Sequence, residues 1–208
     1  MPAYTNHIPL KLTITHLIPS KTKYQLIEEV ERLDYYVPGG YHPINLGDQL
    51  HANRYTIVDK LGFGRSATTW LAEDSTQGRL VALKISTAES ALRTAQHEGR
   101  ILSQLESAKP QSTLFGKTTI PTLLNSFSFS GPNGTHTCLV TDVARVTLHD
   151  AKEASYHRLL HLSAARAITA QLILGVQFIH SHGLVHGDLH LANILLRLPH
   201  DMQDMTPE

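Results

Sequence analysis

The sequence predicts an α+β fold, in which a small antiparallel sheet lobe leads into the start of a helical region. Three observations carry that expectation. Runs 54–64 (RYTIVDKLGFG), 68–72 and 79–86 (RLVALKIS) follow one another, rich in β-branched and apolar residues, and make a three-strand meander. Runs 122–130 and 135–143 are closed into a hairpin by Gly131-Pro132-Asn133-Gly134. Helical spacing of apolar residues occurs in 89–105 and again in 163–182. Five strands and one helix complete the small lobe, and the second, longer helix opens the next part.

Taken in order, residues 1–26 carry Pro2, Pro9 and Pro19 without sustained periodicity, so a loosely ordered leader is expected. Residues 24–36, YQLIEEVERLDYY, are expected to make a short helix or turn, and 27–53 to form an extension packing on the lobe. Val37-Pro38-Gly39-Gly40-Tyr41-His42-Pro43 then breaks any helix and is expected to lie along the lobe surface. The first long strand ends in Gly62-x-Gly64, where the absence of Cβ atoms lets backbone amides approach phosphate oxygens. Lys84 lies in the apolar strand Val81-Ala82-Leu83-Lys84, expected beneath that turn.

In the helix 89–105, Ala91, Ala95, Glu98, Leu102 and Leu105 form one stripe, with Glu98 inside it. An inward carboxylate without a partner costs several kcal/mol, so it requires a cation on the neighbouring element. Lys84 is the available one, and an ion pair between the two is expected to aim the ammonium at phosphate. A Lys/Pro/Ser/Gly linker follows at 107–118. The helix 163–182 has Ser163 as expected N-cap and Gly183 as its stop. Ala165, Ile168, Leu172, Val176 and Ile179 line one face, widened by Ile173, Leu174 and Phe178, so the helix needs cover from more than one side.

The stretch 184–196, LVHGDLHLANILL, holds a carboxylate and a carboxamide on one loop before a short apolar run expected to be a buried strand. Asp188 suits a group that accepts a proton from a hydroxyl nucleophile. Asn193, five residues on, offers a hard oxygen ligand for Mg²⁺. That pairing is what phosphoryl transfer asks for. The remaining residues, through Glu208, form a polar tail.

Composition narrows the function classes. Of 208 residues, 41% are hydrophobic and 17% charged, ordinary for a globular chain. Eighteen basic residues balance eighteen acidic ones, which leaves no electrostatic case for a nucleic-acid or anionic-membrane partner. No run is read as reaching the roughly 20 apolar residues a bilayer span needs, and a soluble chain is expected. The lone Cys138 cannot form an internal disulfide, which favours a reducing intracellular compartment, the cytoplasm or nucleus. Fourteen histidines invite a metal reading, but His157 and His161, though spaced for one helix face, lack a following Glu and a third ligand.

Glycine turn, strand lysine, helix glutamate and HGDLHLAN occur in the order of the protein-kinase fold. More narrowly, EEVERLDYYVPGGYHPINLGDQL, RYTIVDKLGFGRSATTWLAED and SGPNGTHTCLVTDV resemble the serine/arginine-rich protein kinase (SRPK-like) family, in its divergent fungal form. The resemblance covers about residues 28–198. It implies a two-lobed fold: N-lobe and hinge over 54–144, a partial C-lobe with the catalytic loop over 145–198, and a tail over 199–208. It also implies Mg-ATP as donor and a protein Ser/Thr hydroxyl, in a Ser/Arg-rich protein, as acceptor. By that likeness Leu61, Gly62, Phe63 and Gly64 cover the phosphates, Ala67 and Thr69 flank them, and Ala82 meets adenine. Thr141 gates the back of the pocket, Asp142 and Ala144 are hinge groups, Lys84 with Glu98 binds phosphate, Asp188 is the catalytic base and Asn193 the metal ligand.

Departures accompany the likeness. Ala67 replaces the third glycine, Thr69 stands where an apolar residue packs on the base, and Gly187 replaces the arginine before Asp188. His190 replaces the lysine that neutralises the γ-phosphate, so slower, pH-sensitive transfer is expected. No D-F-G or A-P-E follows Asn193 before Glu208, so the chain reads as C-terminally truncated, poorly soluble alone and nearly inactive. Two rivals remain: a small-molecule phosphotransferase of the aminoglycoside or choline type, whose loop HGDLHxxNIL resembles, and a nucleotide-binding pseudokinase or kinase fragment.

Overall fold

The computed structural model describes residues 30–107 and 114–197, so the expected leader and tail lie outside it. Its centre is an antiparallel sheet of order β1-β2-β3-β4-β6-β5, formed by β1 (Gln49–Leu50), β2 (Tyr55–Gly64), β3 (Ala67–Asp74), β4 (Arg79–Ser86), β5 (Leu123–Gly131) and β6 (Gly134–Thr141). The five expected strands all form. The sixth, β1, is a two-residue edge strand that pairs Gln49 with Thr56 and Leu50 with Tyr55, too short to register as a periodic run.

Alternation decides which side of the sheet is core. Tyr55, Ile57, Trp70, Val81, Leu83, Ile85, Cys138 and Val140 meet in one buried cluster, with Phe127 and Phe129 packed against it. Burial pushes the Cys138 thiol well above its ordinary value, so this sulfur is an inert core group.

Helix α1 runs as Ala88–Ser90, a π-helical turn Ala91–Ala95, and Gln96–Glu106. Thr87 caps it by accepting the Ser90 N–H at 3.4 Å. Of the expected stripe, Ala91, Ala95 and Leu105 are buried and Glu98 and Leu102 half-buried, and Gly99 beside it is buried as well. Gly99 is small for a reason: a Cβ there would lie 3.0 Å from Leu139 Cδ2, so its absence lets the helix settle on β6.

The expected linker contains a further short helix, α2 (Leu114–Lys117), which packs on the long helix α4 (Leu162–Ser181). A Cβ on Gly116 would overlap the Leu174 carbonyl oxygen and lie 2.8 Å from Phe178 Cβ. Gly116→Ala is therefore expected to cost about 1–3 kcal/mol by forcing the two helices apart, measured as a lower thermal midpoint.

Between them, β7 (Ala144–Thr147) leads into α3 (Leu148–Glu153), and β8 (Leu195–Arg197) pairs with β7 as a second, two-stranded sheet. The apolar run after Asn193 was expected to be buried. Leu195 is instead 52% exposed, while Ile194 and Leu196 are half-buried, because β8 is an edge of a two-stranded sheet. Ser163 is not the N-cap of α4; His161 holds that position, and the Ser163 hydroxyl lies 2.8 Å from His161 Nδ1 rather than bonding a backbone N–H. Gly183, at φ +72°, ends the helix as expected, its N–H donating to the His180 carbonyl at 3.0 Å.

One expectation is overturned by α4. Its twenty residues, with mean hydropathy 1.4 in the best window, are long and apolar enough by length and composition to span a bilayer. Arg166, Gln171, Gln177 and His180 interrupt its apolar residues, yet the mean still reaches that value. Only Gly175 and Phe178 of this helix are buried, and Ile173 is 63% exposed.

Candidate functional site

Two groups of side chains are positioned by separate devices. The first hangs from the sheet. Lys84 of β4 lies opposite Thr69 of β3 on one side and Leu139 of β6 on the other. Its Nζ donates to both Glu98 oxygens, at 2.7 and 2.8 Å. The expected ion pair is therefore present, and the helix stripe does carry Glu98 to the sheet.

The magnitude of that pair is informative. Side-chain exposure is 43% for Lys84 and 37% for Glu98, so solvent screens the attraction and its share of folding stability is below about 1 kcal/mol. What the pair does is orient. An ammonium has three donors, and two are committed to Glu98, which leaves one to aim. Ser66, Ala67, Ser90, Thr94 and Leu139 line a small recess around the pair.

The β2–β3 hairpin closes through a two-residue turn, Arg65 and Ser66, with Gly64 paired to Ala67 and Gly62 to Thr69. A bulge at Leu61 interrupts the ladder just before Gly62. Leu61 and Phe63 are 41% and 45% exposed. A Cβ on Gly62 or Gly64 would meet no atom within 4 Å, and neither has a left-handed φ. Neither packing nor backbone conformation demands glycine there, so open approach of the amides is what these residues provide. Ala82, 7% exposed, sits between Leu71 and Thr141. The Thr141 hydroxyl donates to the Asp142 carbonyl at 3.3 Å, and the Asp142 carboxylate lies 3.6 Å from Arg79, a tether the sequence reading did not foresee. Ala144 begins β7 directly after buried Val143.

The second group is the loop between α4 and β8. Asn193 Nδ2 donates to the Asp188 carbonyl at 2.9 Å and to Asp188 Oδ2 at 3.0 Å, which closes the loop on itself. Gly187, at φ +75°, supplies the left-handed residue that lets the chain turn into Asp188. His186 Nδ1 accepts the Asp188 N–H at 3.3 Å, and two turns on His190 Nδ1 accepts the Ala192 N–H at the same distance. Sequence reasoning assigns His186 no role; the signal for it is the histidine placed two residues before a backbone N–H, a spacing that His190 and Ala192 repeat. His190 Nε2 lies 3.7 Å from Asp188 Oδ2. The end of the loop is tied back to the start of α3, where the Leu148 N–H donates to the Ile194 carbonyl at 2.7 Å.

These groups suit a nucleotide and a divalent cation. Asn193 Oδ1 has no hydrogen-bond partner among the described residues, since the amide nitrogen makes both bonds to Asp188. A free carboxamide oxygen beside a carboxylate matches Mg²⁺, which takes one or two protein oxygens and completes its shell with water and phosphate.

Comparison with known proteins identifies the family. Residues 55–203 match the family described as protein kinase domain. The chain is 35% identical over 173 residues to protein kinase dsk1 of Schizosaccharomyces pombe, an alignment covering 82% of this chain and 31% of that one. It is 33% identical over 171 residues to the serine/threonine-protein kinase SKY1 of Saccharomyces cerevisiae, covering 81% and 23%. Against SRSF protein kinase 3 of Homo sapiens the figures are 34% over 171 residues, 81% and 30%. The chain thus spans less than a third of the length of each of these relatives.

Proposed function

The chain belongs to the protein kinase family, and from that premise we propose that it binds Mg-ATP and directs its γ-phosphoryl group to a Ser or Thr hydroxyl of a protein. The observation that carries the reading is the Lys84–Glu98 pair beside a glycine hairpin that no internal contact requires.

Each residue then has a task. Amides of Gly62 and Gly64 face phosphate oxygens, with Leu61 and Phe63 shielding them from water and Ala67 and Thr69 at the base of the turn. Ala82 gives the adenine ring a flat, small wall beside Thr141, and the backbone of Asp142 and Ala144 supplies polar groups for its edge. Lys84 turns its uncommitted donor to phosphate. Bound Mg-ATP supplies the transferable phosphoryl group, and Asn193 Oδ1 is assigned to the cation. Asp188 orients the acceptor hydroxyl and takes its proton, while His190, 3.7 Å from that carboxylate, is the histidine of the loop assigned to the γ-phosphate. A Ser/Arg-rich acceptor protein goes with this reading by the likeness to SRSF protein kinase 3, and a place in the cytoplasm or nucleus by the lone Cys138, which has no second cysteine to pair with.

Melting in the presence of ATP tests it. Saturating Mg-ATP at about 100 times Kd stabilises a binder by about 2.7 kcal/mol, a rise of several degrees that Lys84→Ala is expected to abolish. No rise at saturating Mg-ATP overturns nucleotide binding. Labelling of a mixed Ser/Thr peptide library, with none of aminoglycosides or choline, is the expected acceptor pattern; the reverse pattern establishes a small-molecule phosphotransferase.

A further inference from the structure

The segment preceding the sheet is bonded to three separate parts of the site. Gly39 donates its N–H to the Asn133 carbonyl at 2.8 Å, and the Asn133 side chain returns a bond to the Tyr41 carbonyl at 2.6 Å, which fastens the segment to the β5–β6 turn. The carbonyls of Gly40 and Gly39 accept the Ala88 and Glu89 N–H groups at 3.0 and 2.8 Å, so the same few residues cap the first turn of α1. The Tyr41 hydroxyl donates to the Gly64 carbonyl at 2.9 Å. Glycine is needed at two positions for this course: Gly39 has φ +89°, and a Cβ on Gly40 would overlap the Tyr35 carbonyl oxygen.

The turn Arg65–Ser66 is consequently held on both sides. Tyr41 holds the carbonyl of Gly64, and the Thr87 N–H holds that of Ser66 at 2.8 Å. An added Cβ on Gly62 or Gly64 would meet open space, so beyond the β2–β3 ladder these two bonds are the ones that tie the hairpin tip to other parts of the lobe. We infer that Tyr41 is a positioning residue for the phosphate-binding turn, and that the strap from Tyr35 to His42 sets that turn and the helix bearing Glu98 as one unit. The inference rests on the nucleotide reading above. Its physical content is preorganisation: a turn already placed loses less freedom when phosphate binds.

Tyr41 is well suited to isolate this effect. It is 5% exposed and its ring is packed 5.5 Å from that of Tyr36, so Tyr41→Phe removes the hydroxyl and leaves the packing. Burial raises the phenol above its ordinary range, which keeps it a donor.

The test compares wild type and Tyr41→Phe in Mg-ATP and adenosine affinity, with amide hydrogen exchange of the free protein alongside. Loss of one hydrogen bond is expected to raise the Mg-ATP Kd about three- to ten-fold, to leave adenosine affinity unchanged, and to speed exchange in residues 62–66 but not in β4 or β6. Equal Mg-ATP affinity with unchanged exchange at 62–66 overturns the inference. So does equal weakening of both ligands, which marks general loosening. Wild type that binds no Mg-ATP defeats the nucleotide reading instead, and the exchange comparison then still decides whether Tyr41 holds the turn.

Discussion

Replacing Asp188 by Asn is expected to lower phosphoryl transfer by about two to four orders of magnitude while Mg-ATP affinity is kept. The side chain is 78% exposed and only one of its oxygens is engaged: Oδ2 accepts from Asn193 and faces His190, whereas Oδ1 has no partner among the described residues. That free oxygen is the one available to an incoming hydroxyl. An Asn of the same shape still accepts the Asn193 bond through its one oxygen, so the loop stays closed, but the carboxylate's capacity to take a proton is gone. Incorporation of labelled γ-phosphate into peptide measures the rate, and the ATP-induced rise in melting temperature measures binding. Transfer by the variant within a few-fold of wild type removes Asp188 from the role of base.

Leu139→Ala is expected to cost about 2–5 kcal/mol of stability and to weaken Mg-ATP binding as well. Leu139 is 1% exposed, lies opposite Lys84 in the sheet register, and is the side chain on which Gly99 of α1 rests. Truncation opens a cavity directly behind the Lys84–Glu98 pair. Because that pair contributes little stability of its own, it cannot hold the helix in place once its seat is gone. Leu139→Met, which conserves volume, should stay within about 1.5 kcal/mol of wild type. Denaturant unfolding supplies the free energies. A loss below about 1 kcal/mol for Leu139→Ala means that the helix is seated elsewhere.

Much of the fold was legible because its signals are local. The expected strand 79–86 and β4 share both ends, since its apolar run is bounded by turn residues. Ala91, Ala95 and Leu105 lie on the buried face of α1 because 3.6-residue periodicity is written into the chain. Glu98 was readable for a different reason: a carboxylate in an apolar stripe requires a cation, and one strand offered it. The missed features are those without a periodic signature. A two-residue strand, a π-helical turn and a four-residue helix inside a polar linker lie below the length at which pattern reading works, and the Arg79–Asp142 tether joins residues far apart in the chain.

By itself, the order of residues determined the sheet, the helix stripe, the lysine–glutamate requirement and the Asp188–Asn193 loop, because each depends on spacing within a short stretch. Only the tertiary structure decided that a tyrosine 23 residues before Gly64 holds its carbonyl, that Gly99 is the point of contact with Leu139, and that Arg79 faces Asp142. Those facts depend on where distant segments cross, and crossing points are set by three-dimensional packing and shared hydrogen bonds, which no local period encodes.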